Sequence, residues 1–279
     1  MAFTLSNLLQ NIYGDLGQTE TFLATGGGTT SAIDTVKSGL DSPPDDNYCK
    51  EGTLFVVRDS GGASAAPEGE YSRISAYDSA TQTYTVSVTA AIASGDTIMV
   101  ATSLFPLNEM IRVCNRTLQA LGRIRLWDES LTMAAGQHEY TLPIATKGYP
   151  FKVFVQTRDD SDDHDWEAYS GWRVKPATSG STETLVLNEV TDGYLIGIEY
   201  EGVHPTLSVY SSVVNEYLDP EYVTSAATVE AMKWYLSASG GGSDFWQQRY
   251  NMAQSALDEA KKMRRKVYTQ QPKYLVYTR

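Results

Sequence analysis

Several groups of residues in this 279-residue chain have types that could do chemistry, and spacing decides which of them could. Gly26, Gly27 and Gly28 would suit a phosphate-cradling loop, but Thr29 and Thr30 follow in place of a Gly-Lys-Ser/Thr ending. The run reads as a flexible turn. His138, His164 and His204 share no metal-ligand spacing, and His204 precedes Pro205, which favours an extended turn. Asp159, Asp160, Asp162, Asp163 and Asp165 form the densest carboxylate cluster. A calcium loop places a glycine at its sixth position, and counting from Asp160 that position is Asp165. The cluster reads either as a solvated loop tip or as an acidic lining that lets DNA slide past by like-charge repulsion. Serine chemistry lacks its Gly-x-Ser-x-Gly elbow, and paired carboxylates for glycoside hydrolysis could meet only in the fold. The expectation is a non-enzyme with no metal and no cofactor.

Charge points elsewhere. The net charge is −12, yet residues 261–279 hold seven Lys/Arg and no Asp/Glu. The first 260 residues therefore carry 15 basic against 34 acidic side chains, a body of −19 that repels nucleic acid. Cys49 and Cys114 are far apart in sequence and form no C-x-x-C pair, so both read as small apolar residues in a reducing cytoplasm. No run of eighteen apolar residues exists to span a membrane, and the N-terminus lacks a signal-peptide pattern.

The elements that would position these residues follow from periodicity. Leu5, Leu8, Leu9, Ile12 and Leu16 mark a short helix stopped by Gly17. Residues 52–58, 70–77, 83–88 and 97–101 read as short strands between turns, and Tyr84, Val86 and Val88 alternate cleanly. Leu107, Ile111, Cys114, Leu118 and Leu121 return to helical spacing behind Pro106. Residues 127–142 read as a hairpin turning at Ala135, Gly136 and Gln137. Strands are expected at 152–158, 166–175, 183–187 and 194–200, the last with Tyr194, Ile196, Ile198 and Tyr200 on one face. Two helices close the chain, 223–237 and 244–267, separated by Gly240, Gly241 and Gly242. In the second, Trp246, Tyr250, Ala253, Leu257, Ala260, Met263 and Val267 make one apolar stripe.

The fold class expected from this is α+β: a helical core with antiparallel β hairpins and an inserted small antiparallel β-barrel or sandwich. Residues 1–22 and 102–279 would form the core, residues 23–101 the inserted module, and residues 268–279 an extended docking tail.

The order helix, β module, helix resembles the head-to-tail connector (adaptor or neck) proteins of long-tailed bacteriophages. The likeness lies in Gly52, Thr53, Leu54, Phe55 and Val56, then Gly69-Glu70, Arg73-Ile74, Tyr77-Asp78, residues 83–86 and Gly95-Asp96-Thr97. It continues through Phe105-Pro106-Leu107, Asn115 and Leu118, residues 139–143, a strand at 193–200 and an alanine-bearing helix at 226–236. It is a diffuse pattern over most of the chain.

The resemblance implies a structural virion protein at the head–tail interface, made in the host cytoplasm. Such a protein is a ring, usually of twelve copies, bound to the portal protein and to the tail or the next neck ring. Genome DNA passes through it without specific binding, and no membrane is involved. Portal binding would fall to Arg264, Arg265, Tyr268, Lys273, Tyr274, Leu275, Tyr277 and Arg279. Arginine and tyrosine are residue types that concentrate binding energy at interfaces. Ring and core contacts would use Trp246, Tyr250, Leu257 and Met263, with Asp159, Asp160, Asp162 and Asp163 as an exposed acidic loop. The competing readings are a capsid decoration or tail-fibre-like β-rich structural protein, and a carbohydrate-cleaving tail component with hidden carboxylates.

Overall fold

Short strands separated by turn residues must find partners elsewhere in the chain, and here they build four antiparallel sheets. The computed structural model describes residues 2–35, 45–47, 49–62, 66–143, 150–157, 165–176, 183–188, 191–240 and 243–268, with residues 263–268 as backbone only. Two compact units result, one from Met1–Leu118 with Thr206–Arg279 and one from Gln119–Pro205.

The first unit begins with α1 (Leu5–Leu16), whose N-cap Thr4 and Asn7 bond each other reciprocally. Gly17, in the left-handed region at φ 63°, ends the helix. Leu5, Leu8, Leu9, Ile12 and Leu16 are all fully buried, each contributing about 1.5–3 kcal/mol. The strands β1 (Thr19–Leu23), β2 (Gly26–Gly27), β3 (Ser31–Ile33), β4 (Thr53–Arg58), β5 (Tyr71–Arg73), β6 (Ala76–Asp78), β7 (Thr83–Thr85) and β8 (Thr97–Ala101) follow. They form two sheets, in the orders β1-β8-β4-β5 and β2-β3-β7-β6.

Leu54, Val56, Ile98 and Val100 from one sheet meet Ala32, Tyr77 and Tyr84 from the other in a shared core. The reverse face of the first sheet is buried too. There Phe55 meets the ring of Tyr13, with ring centroids 5.7 Å apart. This is why β4 reads as an unbroken apolar run rather than alternating. The other helices are α2 (Leu107–Ala120), α3 (Pro220–Ala238) and α4 (Asp244–Tyr268).

The second unit holds β9 (Ile124–Thr132), β10 (Glu139–Thr141), β11 (Lys152–Gln156), β12 (Trp166–Tyr169), β13 (Trp172–Lys175), β14 (Thr184–Leu187) and β15 (Leu195–Gly202). Its sheets are β10-β14-β13 and β12-β11-β15-β9. Tyr140, Leu185 and Leu187 of one meet Val153, Ile196, Ile198 and Tyr200 of the other.

The expected helical core is therefore corrected. The described residues form fifteen strands in four sheets against four helices, and Tyr13 of α1 packs on Phe55 of a sheet. The barrel alternative is corrected as well: the strands of 23–101 lie in two open sheets and none of the four closes. Three local expectations also change. The turn at 134–137 is present, with Gln137 N–H donating to the carbonyl of Ala134 at 3.0 Å. Yet β9 pairs with β15 and β10 with β14, so the hairpin at 127–142 does not form. The run 70–77 splits into β5 and β6, and 166–175 into β12 and β13, each pair divided between two sheets. A corner at Ile74 and Ser75 makes the first split, where Ile74 N–H bonds Gly52 and Ser75 N–H bonds Thr85.

Candidate functional site

Helix α4 carries two faces. The sequence-predicted stripe turns inward: Trp246 is buried against Phe105 and Tyr235, with ring centroids 5.8 and 4.8 Å away. Leu257 packs with Ala226 and Val229 of α3, and Tyr250 sits half-buried beside them. These contacts lie within the chain itself, on α3 and on the segment leading into α2. Met263, Arg264, Arg265 and Tyr268 belong to the end of α4 where only backbone is described. Lys273, Tyr274, Leu275, Tyr277 and Arg279 lie outside the described residues, as do Asp159, Asp160, Asp162 and Asp163.

The second face of α4 borders a groove of about 1050 Å³ between α1, α3 and α4. One helical stripe from each element lines it: Gln10, Asn11, Gly14 and Asp15 from α1; Glu221, Thr224, Ser225, Thr228 and Met232 from α3; Phe245, Gln248, Arg249, Met252, Ala253 and Ala256 from α4. The groove exists because the positions facing it are small. Gly14 has open space where a side chain would begin, and Ser225, Ala253 and Ala256 add little bulk. Phe245 and Met252, seven residues apart on α4, rim it at 53% and 66% exposure. Large apolar side chains held in water this way mark a surface that gains by being covered.

Polar groups fix the groove's end. Arg249 Nη1 donates to the carbonyl of Leu16 at 2.9 Å and of Asp15 at 3.3 Å, capping the free carbonyls of α1 with a cation. Its guanidinium also stands 5.2 Å from the Phe245 ring centroid. Gly17 suits the left-handed turn beneath it, and a Cβ there would also push on the guanidinium. Asp15 accepts from the Thr228 hydroxyl at 3.2 Å, and partial burial raises its carboxyl above the ordinary value against that bond. The Thr224 hydroxyl is buried with no partner among the described residues.

The remaining sequence candidates are structural where described. His138 Nδ1 lies 2.9 Å from the carbonyl of Leu187. His204 is buried, with Nδ1 2.7 Å from the carbonyl of Pro205, and burial lowers its basicity. Burial pushes the Cys114 thiol up to about 12, and Cys49 is half-buried. Among the described residues no three His, Cys, Asp or Glu side chains gather as a metal would need. None of the described helices is long and apolar enough to cross a membrane. Sequence reasoning placed Ala253 on the α4 stripe and missed the other groove residues; their one signal was Phe245 and Met252 lying off that stripe at a helical interval.

Compared with protein-family models, curated proteins and solved structures, the chain matches none.

Proposed function

We propose that this chain is a structural protein of a tailed-phage virion, a head-to-tail connector that assembles as a ring below the portal. The observation that carries the reading is the groove between α1, α3 and α4, rimmed by exposed Phe245 and Met252. A groove on one patch and its occupant on another make a head-to-tail contact, and such contacts close into a ring when the rotation between neighbours closes. The diffuse resemblance to connector proteins along residues 52–143 and 193–236 supports the same assignment. In this reading the basic, tyrosine-rich end of the chain grips the portal. The acidic body keeps passing DNA from adhering.

A decoration or fibre-like protein is the second reading, favoured by the four antiparallel sheets. Mass measurement of the pure protein, alone and mixed with portal protein, separates the two. A ring or a portal-bound species is the expected result. A trimer that ignores the portal would replace the connector reading with the fibre-like one.

A further inference from the structure

Helix α4 is longer than the helix it packs against. It has 25 residues where α3 has 19, a difference of about 9 Å along the axis. By sequence its apolar stripe runs on to the end, through Ala260, Met263 and Val267 at steps of three and four. Around that stripe stand Lys261, Lys262, Arg264, Arg265 and Lys266, and residues 261–279 hold no Asp or Glu. Cations suit the end of a helix, but that effect fades within the last turn, and Lys261, Lys262 and Arg264 precede it. The groove between α1, α3 and α4 has the opposite charge. Residues 1–36, which contain α1, and residues 206–232, which contain most of α3, hold no Lys or Arg. These segments line the groove with Asp15 and Glu221. Arg249 is the one cation among the described lining residues, and its Nη1 is held by the carbonyls of Asp15 and Leu16.

We infer that this groove takes the basic end of α4, residues 260–267, from a second copy of the chain. The inference rests on the groove being the assembly surface, and adds what fills it. A helix seated in a groove presents apolar anchors three, four and seven residues apart, the spacing of residues 260, 263 and 267. Gly14, Ser225, Ala253 and Ala256 leave the walls low enough for a helix to approach closely. The positive arm then meets walls that carry Asp15 and Glu221 and no free cation of their own. The chain does not fill its own groove in this way. Helix α4 is continuous, so residue 264 stands about 22 Å along the axis from Arg249. Groove wall and occupant therefore lie at two ends of one rod, an arrangement that passes from copy to copy. Residues 268–279 stay available for the portal.

The test is sedimentation of the full-length chain at rising concentration, with no portal protein present. The parent should self-associate, and less so as salt rises. Glu221→Lys in the groove should weaken association about tenfold or more, and so should Lys262→Glu with Arg265→Glu on the arm. The chain carrying all three changes should recover most of the loss, because the opposed charges are exchanged rather than removed. Circular dichroism should find every variant folded, since Glu221 and Lys262 are exposed. A parent that stays monomeric at about 100 μM overturns the inference, while a portal-bound species would still satisfy the connector reading. An assembly that neither reversal weakens overturns it too, as does one that the combined changes fail to restore. A closed pair in place of a ring, obeying the same charge rule, keeps the arm in the groove and overturns the ring instead.

Discussion

Tyr13 donates its buried phenolic O–H to the backbone carbonyl of Phe105 at 2.6 Å, tying α1 to the segment that leads into α2. The ring is fully buried, and burial holds the phenol protonated far above its usual range. Replacing Tyr13 with Phe keeps the ring but leaves that carbonyl without its donor in the core. The expected loss is about 1–3 kcal/mol of stability, read as a lower urea midpoint with an unchanged slope.

Asp96 organises the turn before β8 by a different route. Burial pushes its carboxyl up, but the Ser60 and Ala93 N–H groups and the Ser60 hydroxyl, each at 2.8 Å, outweigh this and hold it below the usual value. A carboxyl whose folded value lies below its unfolded one, about 3.9, stabilises the fold at every pH above that value. The contribution is lost as pH falls through the folded value. Asp96→Asn should therefore cost about 1–3 kcal/mol at neutral pH. The gap between variant and parent in urea midpoint should narrow on acidification below about 4. A gap independent of pH would show that the charge does not matter.

Elements with long, regular periods were legible in the sequence, and their partners were not. Leu5 to Leu16 marked α1 to the residue, and the stripe from Trp246 marked α4, because helical hydrogen bonds are local. Strand partners are non-local. Gly136 announced that the chain turns, yet nothing near it announced that β9 would pair with β15 some sixty residues on. The corner at Ile74 was hidden for the same reason: β5 and β6 are adjacent in sequence, and only the second sheet's presence divides them. The groove was hidden by its own composition. Small residues such as Gly14 and Ala253 acquire meaning only when three helices are known to face one another.

Gly14 offers a direct check on that groove. It sits inside α1 with nothing within 4 Å of where a Cβ would stand. Glycine in a helix interior costs about 0.5–1 kcal/mol relative to alanine. Gly14→Ala should raise stability by that amount, read as a higher urea midpoint. A lower midpoint would mean that the space beside α1 is already filled.

The C-terminal end of α4 is tested by truncation. A chain ending at residue 267 loses Tyr268 and everything after it, and none of the side chains buried among the described residues. It should unfold within about 0.5 kcal/mol of the parent, as changes away from core contacts usually do. Under the connector reading it should also fail to join portal-bearing heads. Attachment at the parental level would remove the tail from the portal contact.

Filling the groove separates assembly from folding. Ala256 is exposed at the groove wall, and Ser225 faces the same space from α3. Ala256→Leu together with Ser225→Leu adds bulk to the groove without emptying any core position, so circular dichroism and the urea midpoint should change little. An occupant that needs the groove would then be excluded by steric overlap, which packed interfaces do not absorb cheaply. The expected result is a folded protein whose sedimentation shows loss of the ring or of the portal-bound species. If the doubly substituted chain assembles as the parent does, the groove is not the assembly surface. The exposed Phe245 and Met252 must then serve some other contact.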